Sequence, residues 1–230
     1  MNKTAVIHQP DFLPYMGFFQ RFLNSDLWII LDNVQFLNNS KSWHNRDKIK
    51  TENGEKWFTV AVQKCSQKTP INEVLLSDTG WREDNLNLII NNYRKAPFFN
   101  EIIPYINNLY AFQCEKMIDF NLKSIDTLME IFNIKIERIM ASNLHPEGNK
   151  NDLLIDLLKK VDAKIYLSGV GAKNYLIPEL FEEAGIQVIW QDFKHPVYPQ
   201  LHGEFIPYLS SIDMLFNCGI EKSREILRSC

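Results

Sequence analysis

The chain has 230 residues, 45% of them hydrophobic and 23% charged, with nine Gly and ten Pro; this is globular composition, long enough to bury a core, and it excludes a disordered or fibrous polymer. A formal net charge of −3 excludes the broad basic face that duplex nucleic acid requires, so duplex DNA is not an expected partner. Cys65, Cys114, Cys218 and Cys230 form no CxxC pair, which points away from a disulfide framework and a zinc site.

The start, MNKTAVIHQPDF, lacks the basic, apolar and small-residue order of a signal peptide, and no apolar run approaches the roughly 18 to 20 residues of a membrane span, so the cytoplasm is the expected compartment. A short apolar run, Ala5 to Ile7, leads through a loop carrying His8, Gln9, Pro10 and Pro14 to Gly17. From there Phe18, Phe19, Phe22 and Leu23 fall at helical spacing, and a second apolar run, Leu27 to Leu31, stops at Asp32. Continuous apolar runs on either side of a helix predict buried parallel strands. Ligands of open parallel sheets bind outside the carboxyl ends of the strands. His8, Gln9, Asp32, Asn33 and Gln35 are therefore expected to line one mouth.

Asn53-Gly54 between Lys48–Thr51 and Trp57–Val62 predicts a hairpin with a type I′ turn, one face of it buried through Phe58, Val60 and Val62. Helical spacing then runs over 81–95, 98–109 and 115–132, a helical middle. Strands are expected at 134–140, 164–167 and 186–190, and helices at 152–161 and 178–184; this alternation predicts right-handed crossovers and a parallel sheet. The tail PVYPQLHGEFIPYLS reads as a structured loop before one or two terminal helices. One domain over 1–230 is expected, with 81–132 the stretch from which a helical insertion or lid would be built.

Several residues carry candidate chemistry. His8, just after the first strand, suits proton transfer, or else a buried histidine bonded to backbone. Asp32 suits holding an amine or orienting His8, or else capping a turn. Lys41, Asn45, Arg46, Lys48 and Lys50 form a basic run with Trp43 and His44; the planar fork of Arg46 suits phosphate or carboxylate, with the lysines the stronger candidates for a solvated loop. Ser168-Gly169-Val170-Gly171 follows a strand, where backbone N–H groups can meet an anion, or else makes a tight turn. His195 and His202 lie in a loop pinned by Pro196 and Pro199, beside Tyr198 and Gln200. Their spacing makes no metal motif, and no metal is expected. His44 and His145 read as surface residues.

Five ordered stretches, HQPDFLPYMGFF, LDNVQF, NRDKIKTENGEKW, YLSGVGAKNYL and DFKHPVYPQLHGEF, resemble the WbqC-like protein family, and the resemblance covers essentially the whole chain. His8, Gln9, Pro10, Pro14 and Gly17 match its opening motif, Asp32, Val34 and Gln35 the second, and Asn45 with Arg46 the third. Ser168, Gly169, Gly171, Ala172 and Tyr175 match the fourth, and His195, Pro196, Tyr198, Gln200 and His202 the fifth. The chain departs in having Tyr15-Met16 where a Trp-Leu pair is common and Asn33 where a second Asp is usual.

The resemblance implies a bacterial protein of O-antigen, lipopolysaccharide or other surface-polysaccharide biosynthesis, and a transferase placing an acyl or aminoacyl group, glycyl included, on the amine of an amino sugar. His8 or His195 would take the proton, donors near Ser168 would stabilise the oxyanion, and Arg46 would hold an anionic group. A carboxylate does not acylate an amine unaided, so an activated donor is required: ATP, a thioester or a charged tRNA. The acceptor class is a nucleotide-linked or lipid-linked amino sugar. One alternative is a non-catalytic accessory protein holding that sugar. Another is a nucleotidyltransferase with altered phosphate ligands, because strand, Pro-containing loop, Gly and helix are similar in order to the nucleotidylyltransferases, in which two histidines flank the glycine; here those places hold Tyr15 or Met16 and Phe18. The expected fold is α/β, a Rossmann-like three-layer parallel sheet with an inserted β-hairpin and a helical middle region.

Overall fold

The computed structural model describes residues 2–37 and 42–230; Lys41 of the basic run lies outside the described residues. The first unit is the expected one: β1 (Thr4–His8), α1 (Met16–Leu23) and β2 (Leu27–Ile30). With β5 (Glu137–Met140), β6 (Ile165–Ser168) and β7 (Gln187–Trp190) they form a five-stranded sheet of order β5-β2-β1-β6-β7, every pairing parallel. Helices α5 (Lys150–Lys160) and α6 (Pro178–Glu183) alternate with its later strands, and α7 (Ser211–Arg228) closes the fold.

The period-two alternation of a strand sends neighbouring side chains to opposite layers. Val6, Trp28 and Ile30 join Phe18, Phe19 and Phe22 of α1 in one core, which extends over α7 and the helical middle. Ala5, Ile7, Leu27 and Ile29 face the other way, onto Leu154, Leu157 and Leu158 of α5 and Phe181 of α6. Both faces of the sheet are covered, which is why its strands read as unbroken apolar runs. The result is the expected Rossmann-like three-layer architecture.

The hairpin β3 (Arg46–Thr51) and β4 (Gly54–Thr59) stands apart from that sheet. Its turn differs from the expectation by one residue. Thr51 pairs with Gly54, so Glu52 and Asn53 form the connection. Gly54 alone there has a positive φ, +94°, whereas a type I′ turn needs two such residues. The helical middle comprises α2 (Trp81–Tyr93), α3 (Phe99–Ala111) and α4 (Met117–Phe132). Asn133, left-handed at φ 52°, ends α4 and returns its N–H to Glu130 and Met129. Ile134 is thereby spent on the core, so β5 starts at Glu137 and is shorter than its apolar run suggested. Gly219 (φ 76°, ψ 174°) kinks α7. Among the described residues no helix is long and apolar enough to cross a membrane.

From β1 the chain builds outward through β2 to β5, then returns to lay β6 and β7 on the other side of β1. The direction of winding reverses between β1 and β6. In open α/β sheets that reversal opens a crevice at the carboxyl ends of the strands, here at His8 and Ser168.

Candidate functional site

The loop after β1 is fixed by side chains from distant elements. Asn121 of α4 donates to Pro10 O (2.7 Å), Ser124 Oγ accepts the Leu13 N–H (3.2 Å), and Ser210 and Ser211 donate to Leu13 O (2.6 Å) and Pro14 O (2.7 Å). These bonds hold Leu13 at φ 40°, a left-handed conformation that a leucine rarely adopts. A loop so held presents Asp11 and Tyr15 as precisely as a strand would.

Behind this loop lies Arg21 of α1, only 4% exposed. Every residue of α1 from Met16 to Phe22 is buried, so its guanidinium is largely screened from bulk water. Among the described residues it has no ion-pair partner, and its Nε has no hydrogen-bond acceptor. Burial lowers its pKa, and Tyr15, Tyr166, Asp11 and Tyr175 oppose that fall. Gly169 makes room for it: a Cβ there would fall on Nη1. Gly169→Ala is therefore expected to displace the guanidinium and to cost about 1–3 kcal/mol by overpacking. Gly171→Ala, whose Cβ would meet nothing, should be close to neutral. Urea unfolding of the two variants checks this.

His8 completes the mouth. Its Nδ1 lies 2.8 Å from Gln9 O, which only accepts, so Nδ1 carries the proton and Nε2 is left as an acceptor. Burial, with the charge of Arg21 second, lowers its pKa from 6.5 to about 3. Asp11, whose Oδ2 is 3.7 Å from His8 Nδ1, is pushed by burial from 3.8 to about 7, against the pull of Arg21. Its Oδ1 is buried without a partner. His8 and Asp11 are thus not an ion pair at neutral pH.

These shifts act on stability in opposite senses. As pH falls below 6.5 the unfolded His8 takes a proton that the folded one refuses until about 3, so acid removes its contribution. Folded Asp11 keeps a proton that the unfolded chain releases above 3.8, so its contribution is full below 3.8 and is lost as pH rises to about 7. Between pH 4.5 and 6, His8→Gln should flatten the acid loss of stability and Asp11→Asn should steepen it, each by up to about 1.4 kcal/mol per pH unit. Urea midpoints across that range measure both slopes.

The segment 191–210 supplies the opposite wall. Gln191 donates from Nε2 to Gly17 O (2.8 Å) and Gln20 Oε1 (2.6 Å), and its N–H bonds Ser168 O (2.8 Å), tying β7 to α1 and β6. Phe193 packs on Tyr15, and His195 sits between Phe193, Phe205 and Tyr208 with ring centroids 5.0–5.8 Å away. His195 Nδ1 is 2.9 Å from Pro196 O, and burial lowers its pKa. Tyr208, left-handed at φ 58° and half exposed, also edges onto Tyr15. Asp213 anchors the wall from below: fully buried, it accepts from Tyr93 Oη (2.7 Å), Tyr198 Oη (2.9 Å) and Gln200 Nε2 (2.8 Å). Lys50, also buried, donates Nζ to Gln200 Oε1, Gly203 O and Glu204 O.

The model of the WbqC-like protein family matches residues 9–225. The chain belongs to the WbqC-like protein family. It is also 30% identical to an uncharacterized protein of Mycobacterium tuberculosis over 233 residues, which takes in 100% of this chain and 99% of that one. No solved structure matches it.

In this WbqC-like protein the first and fifth motifs meet where Tyr15 packs on Phe193, and the fourth reaches the same helix where Gly169 makes room for Arg21. The second and third lead elsewhere. Asp32 accepts the Ser142 N–H at Oδ1 and Asn72 Nδ2–H at Oδ2, both at 2.9 Å; it thereby ties down the 3-10 turn Ala141–Leu144, and His8 is oriented by Gln9 instead. Gln35 is exposed and bridges to Pro70. Asn45, buried, extends the hairpin by bonding Val60 O. Arg46 stacks on Trp57 with Cζ 4.2 Å from the ring centroid and donates Nε to Ser42 O, while Lys48 pairs with Glu55 at 2.8 Å. Gly171 is exposed in the 3-10 turn after β6, and Tyr175 is 64% exposed at the rim. Tyr198 and Gln200 serve Asp213, and His202 Nε2 lies 3.0 Å from Asn92 O on the far side of the hairpin. His44, expected at the surface, is instead buried against Phe36, which lowers its pKa to about 4; His145 is exposed. Met16 and Phe18, the neighbours of Gly17, are core residues.

The residues that sequence reasoning missed are Arg21, Asp11 and Asp213. Arg21 and Gln20 interrupt the run FFQRFL in a helix whose flanking strands are both wholly apolar. A helix buried on every side must bury its polar residues too, and that was the available signal.

Proposed function

We propose that this WbqC-like protein is a transferase that moves an acyl or aminoacyl group onto the amine of an amino sugar in surface-polysaccharide synthesis of the O-antigen kind. The observation that carries the reading is Arg21: a buried cation that makes no ion pair among the described residues, at the crevice where open α/β sheets bind ligands. A guanidinium so placed suits an oxyanion, here the phosphate of a nucleotide-linked or lipid-linked sugar. It takes over the role first assigned to Arg46.

In the reaction the amine nitrogen bonds to the acyl carbon, the bond from that carbon to its leaving group breaks, and the proton that the nitrogen loses is taken by the departing group or by solvent water. His8 Nε2 accepts a hydrogen bond from the amine and orients it. With a pKa near 3, His8 aligns the nucleophile rather than storing its proton. Backbone donors after Ser168 meet the developing oxyanion. The leaving group arrives with the donor, which is activated by ATP, as a thioester or as a charged tRNA. The same low basicity of His8 and His195 favours, as a second reading, an accessory protein that holds the sugar for a partner enzyme.

A transfer assay read by mass spectrometry separates the two. Nucleotide-linked amino sugars are incubated with acyl thioesters, with amino acids plus ATP, and with charged tRNA. The transferase reading expects an acylated sugar from one donor class and its loss in Arg21→Met. Tight sugar binding with no product from any donor would overturn it in favour of the accessory protein.

A further inference from the structure

Where the turn of the hairpin, the end of α2 and the loop at His202 come together, they enclose an open cavity of about 370 Å³, within the size range of small-molecule sites. It shares no lining residue with the crevice at His8 and Ser168. Its three walls are fixed to one another. Leu88, Asn91 and Asn92 stand at i, i+3 and i+4 on α2 and so share one face, which lines the cavity. Asn85 ties that helix to the hairpin by donating Nδ2 to Thr59 O (2.9 Å), and Tyr93 Oη accepts the Lys50 N–H (3.2 Å). The turn is braced by Thr51 Oγ1, which donates to Gly54 O (2.9 Å) and accepts the Asn53 N–H (3.2 Å). Glu52 and Asn53 are thereby left exposed at the rim.

The third wall is held against its own preference. His202 and Gly203 are both left-handed, at φ 64° and 83°. Lys50, buried in β3, fixes that turn by donating Nζ to Gly203 O (3.2 Å) and Glu204 O. A side chain carried on a backbone conformation that most residues avoid is a recurrent feature of ligand sites.

We propose that this cavity binds an unphosphorylated saccharide. Leu88 is the one wholly apolar side chain of the lining, so a lipid or a flat base finds no surface to cover. Glu52 and Glu55 face Lys56 across the lining, and this surplus of carboxylates opposes a phosphate. What remains suits hydroxyl groups, which donate and accept at once. Asn53 and Asn91 carry amides with the same double capacity. Asn92 spends Nδ2 on Leu88 O (2.7 Å) and keeps Oδ1 as an acceptor. His202 Nε2 lies 3.0 Å from Asn92 O; that carbonyl only accepts, so Nε2 carries the proton and Nδ1 is the acceptor. Polar groups already held in place lose little freedom when a ligand arrives. The same charge balance turns away a nucleotide-linked sugar, which separates this site from the crevice at Arg21.

Nuclear magnetic resonance titration of the isotope-labelled protein with glucose, glucosamine, N-acetylglucosamine and a glucose phosphate reads the asparagine side-chain amides directly. At least one of the three unphosphorylated sugars is expected to shift the amides of Asn53, Asn91 and Asn92 saturably, and the glucose phosphate to bind more weakly than glucose. Asn91→Ala and His202→Ala should each weaken binding about tenfold, the loss of one hydrogen-bond partner. Arg21→Met should bind as the wild type does. Glycine adopts the positive φ without strain, so His202→Gly should melt above His202→Ala and bind equally weakly, which separates loss of ligand from loss of fold. Wild-type affinity in Asn91→Ala or in either His202 variant would overturn the site. So would binding that disappears in Arg21→Met, tighter binding of the glucose phosphate than of glucose, or no shift with any of the three sugars.

Discussion

Arg21→Met is expected to melt above the wild type while losing its response to anionic ligands. Arg21 is 4% exposed and makes no ion pair among the described residues, and burial pulls its pKa down from the ordinary arginine value. The folded protein therefore carries a desolvated charge with only partial compensation from Asp11 and the tyrosines around it. Methionine has a similar length, no charge and enough flexibility to fill the space against Phe18. Replacing buried ionic groups by well-packed apolar ones of similar volume is often neutral or stabilising, by up to about 4 kcal/mol. A gain in that range, read from urea unfolding, marks a residue retained for binding at a cost to the fold. A loss of stability instead would mean that the guanidinium is satisfied in the folded chain, and the anion reading would lose its basis.

Asp213→Ala should be the most destabilising single change in the molecule, by about 3–5 kcal/mol. The carboxylate is fully buried and accepts from Tyr93, Tyr198 and Gln200, which belong to α2 and to the loop ahead of α7. Its removal leaves the buried Tyr93 and Tyr198 hydroxyls without their acceptor, takes one of two acceptors from Gln200 Nε2, which keeps Ile206 O, and loosens the wall that carries His195 and Tyr208. Burial holds the pKa of Asp213 above its ordinary value, and its three donors oppose that rise. Tyr93→Phe and Tyr198→Phe each remove one donor and should cost about 1–3 kcal/mol. Denaturant midpoints rank the three variants. Asp213→Ala falling below either tyrosine variant in effect would show that the network is not centred on the carboxylate.

The sheet was legible because both of its faces are buried, so that AVI, LWIIL and IYL stand out as short apolar runs with no exposed alternation. The hairpin was legible from Asn53-Gly54, although the register falls one residue earlier and only Gly54 turns left-handed. The strand ends at His8 and Ser168 were legible because each closes an apolar run. The side chains that give the mouth its charge were not. Tyr93 meets Asp213 across 120 positions and Gln191 reaches Gly17 across 174, and no local spacing encodes such pairs. Basic residues drew attention to Arg46 and Lys48 because they cluster in sequence, yet they lie over indole rings beside the hairpin, while the isolated Arg21 lies against Gly169 just after β6. His44 shows the same effect in reverse: its polar neighbours suggested a surface loop, and the fold buried it against Phe36.

Family and fold together place this chain among the WbqC-like proteins with a Rossmann-like sheet, and the crevice between β1 and β6 concentrates the groups with unmet chemistry. The most direct test of that site is a thermal-unfolding panel of nucleotide-linked amino sugars, free nucleotides and acyl thioesters against wild type and Arg21→Met. A ligand confined to the folded state adds about 2.7 kcal/mol of stability at a hundredfold excess over its dissociation constant. The account predicts that at least one nucleotide-linked amino sugar raises the melting temperature of the wild type and leaves that of Arg21→Met unchanged. An undiminished shift in Arg21→Met would contradict it and move the binding site away from the switch point.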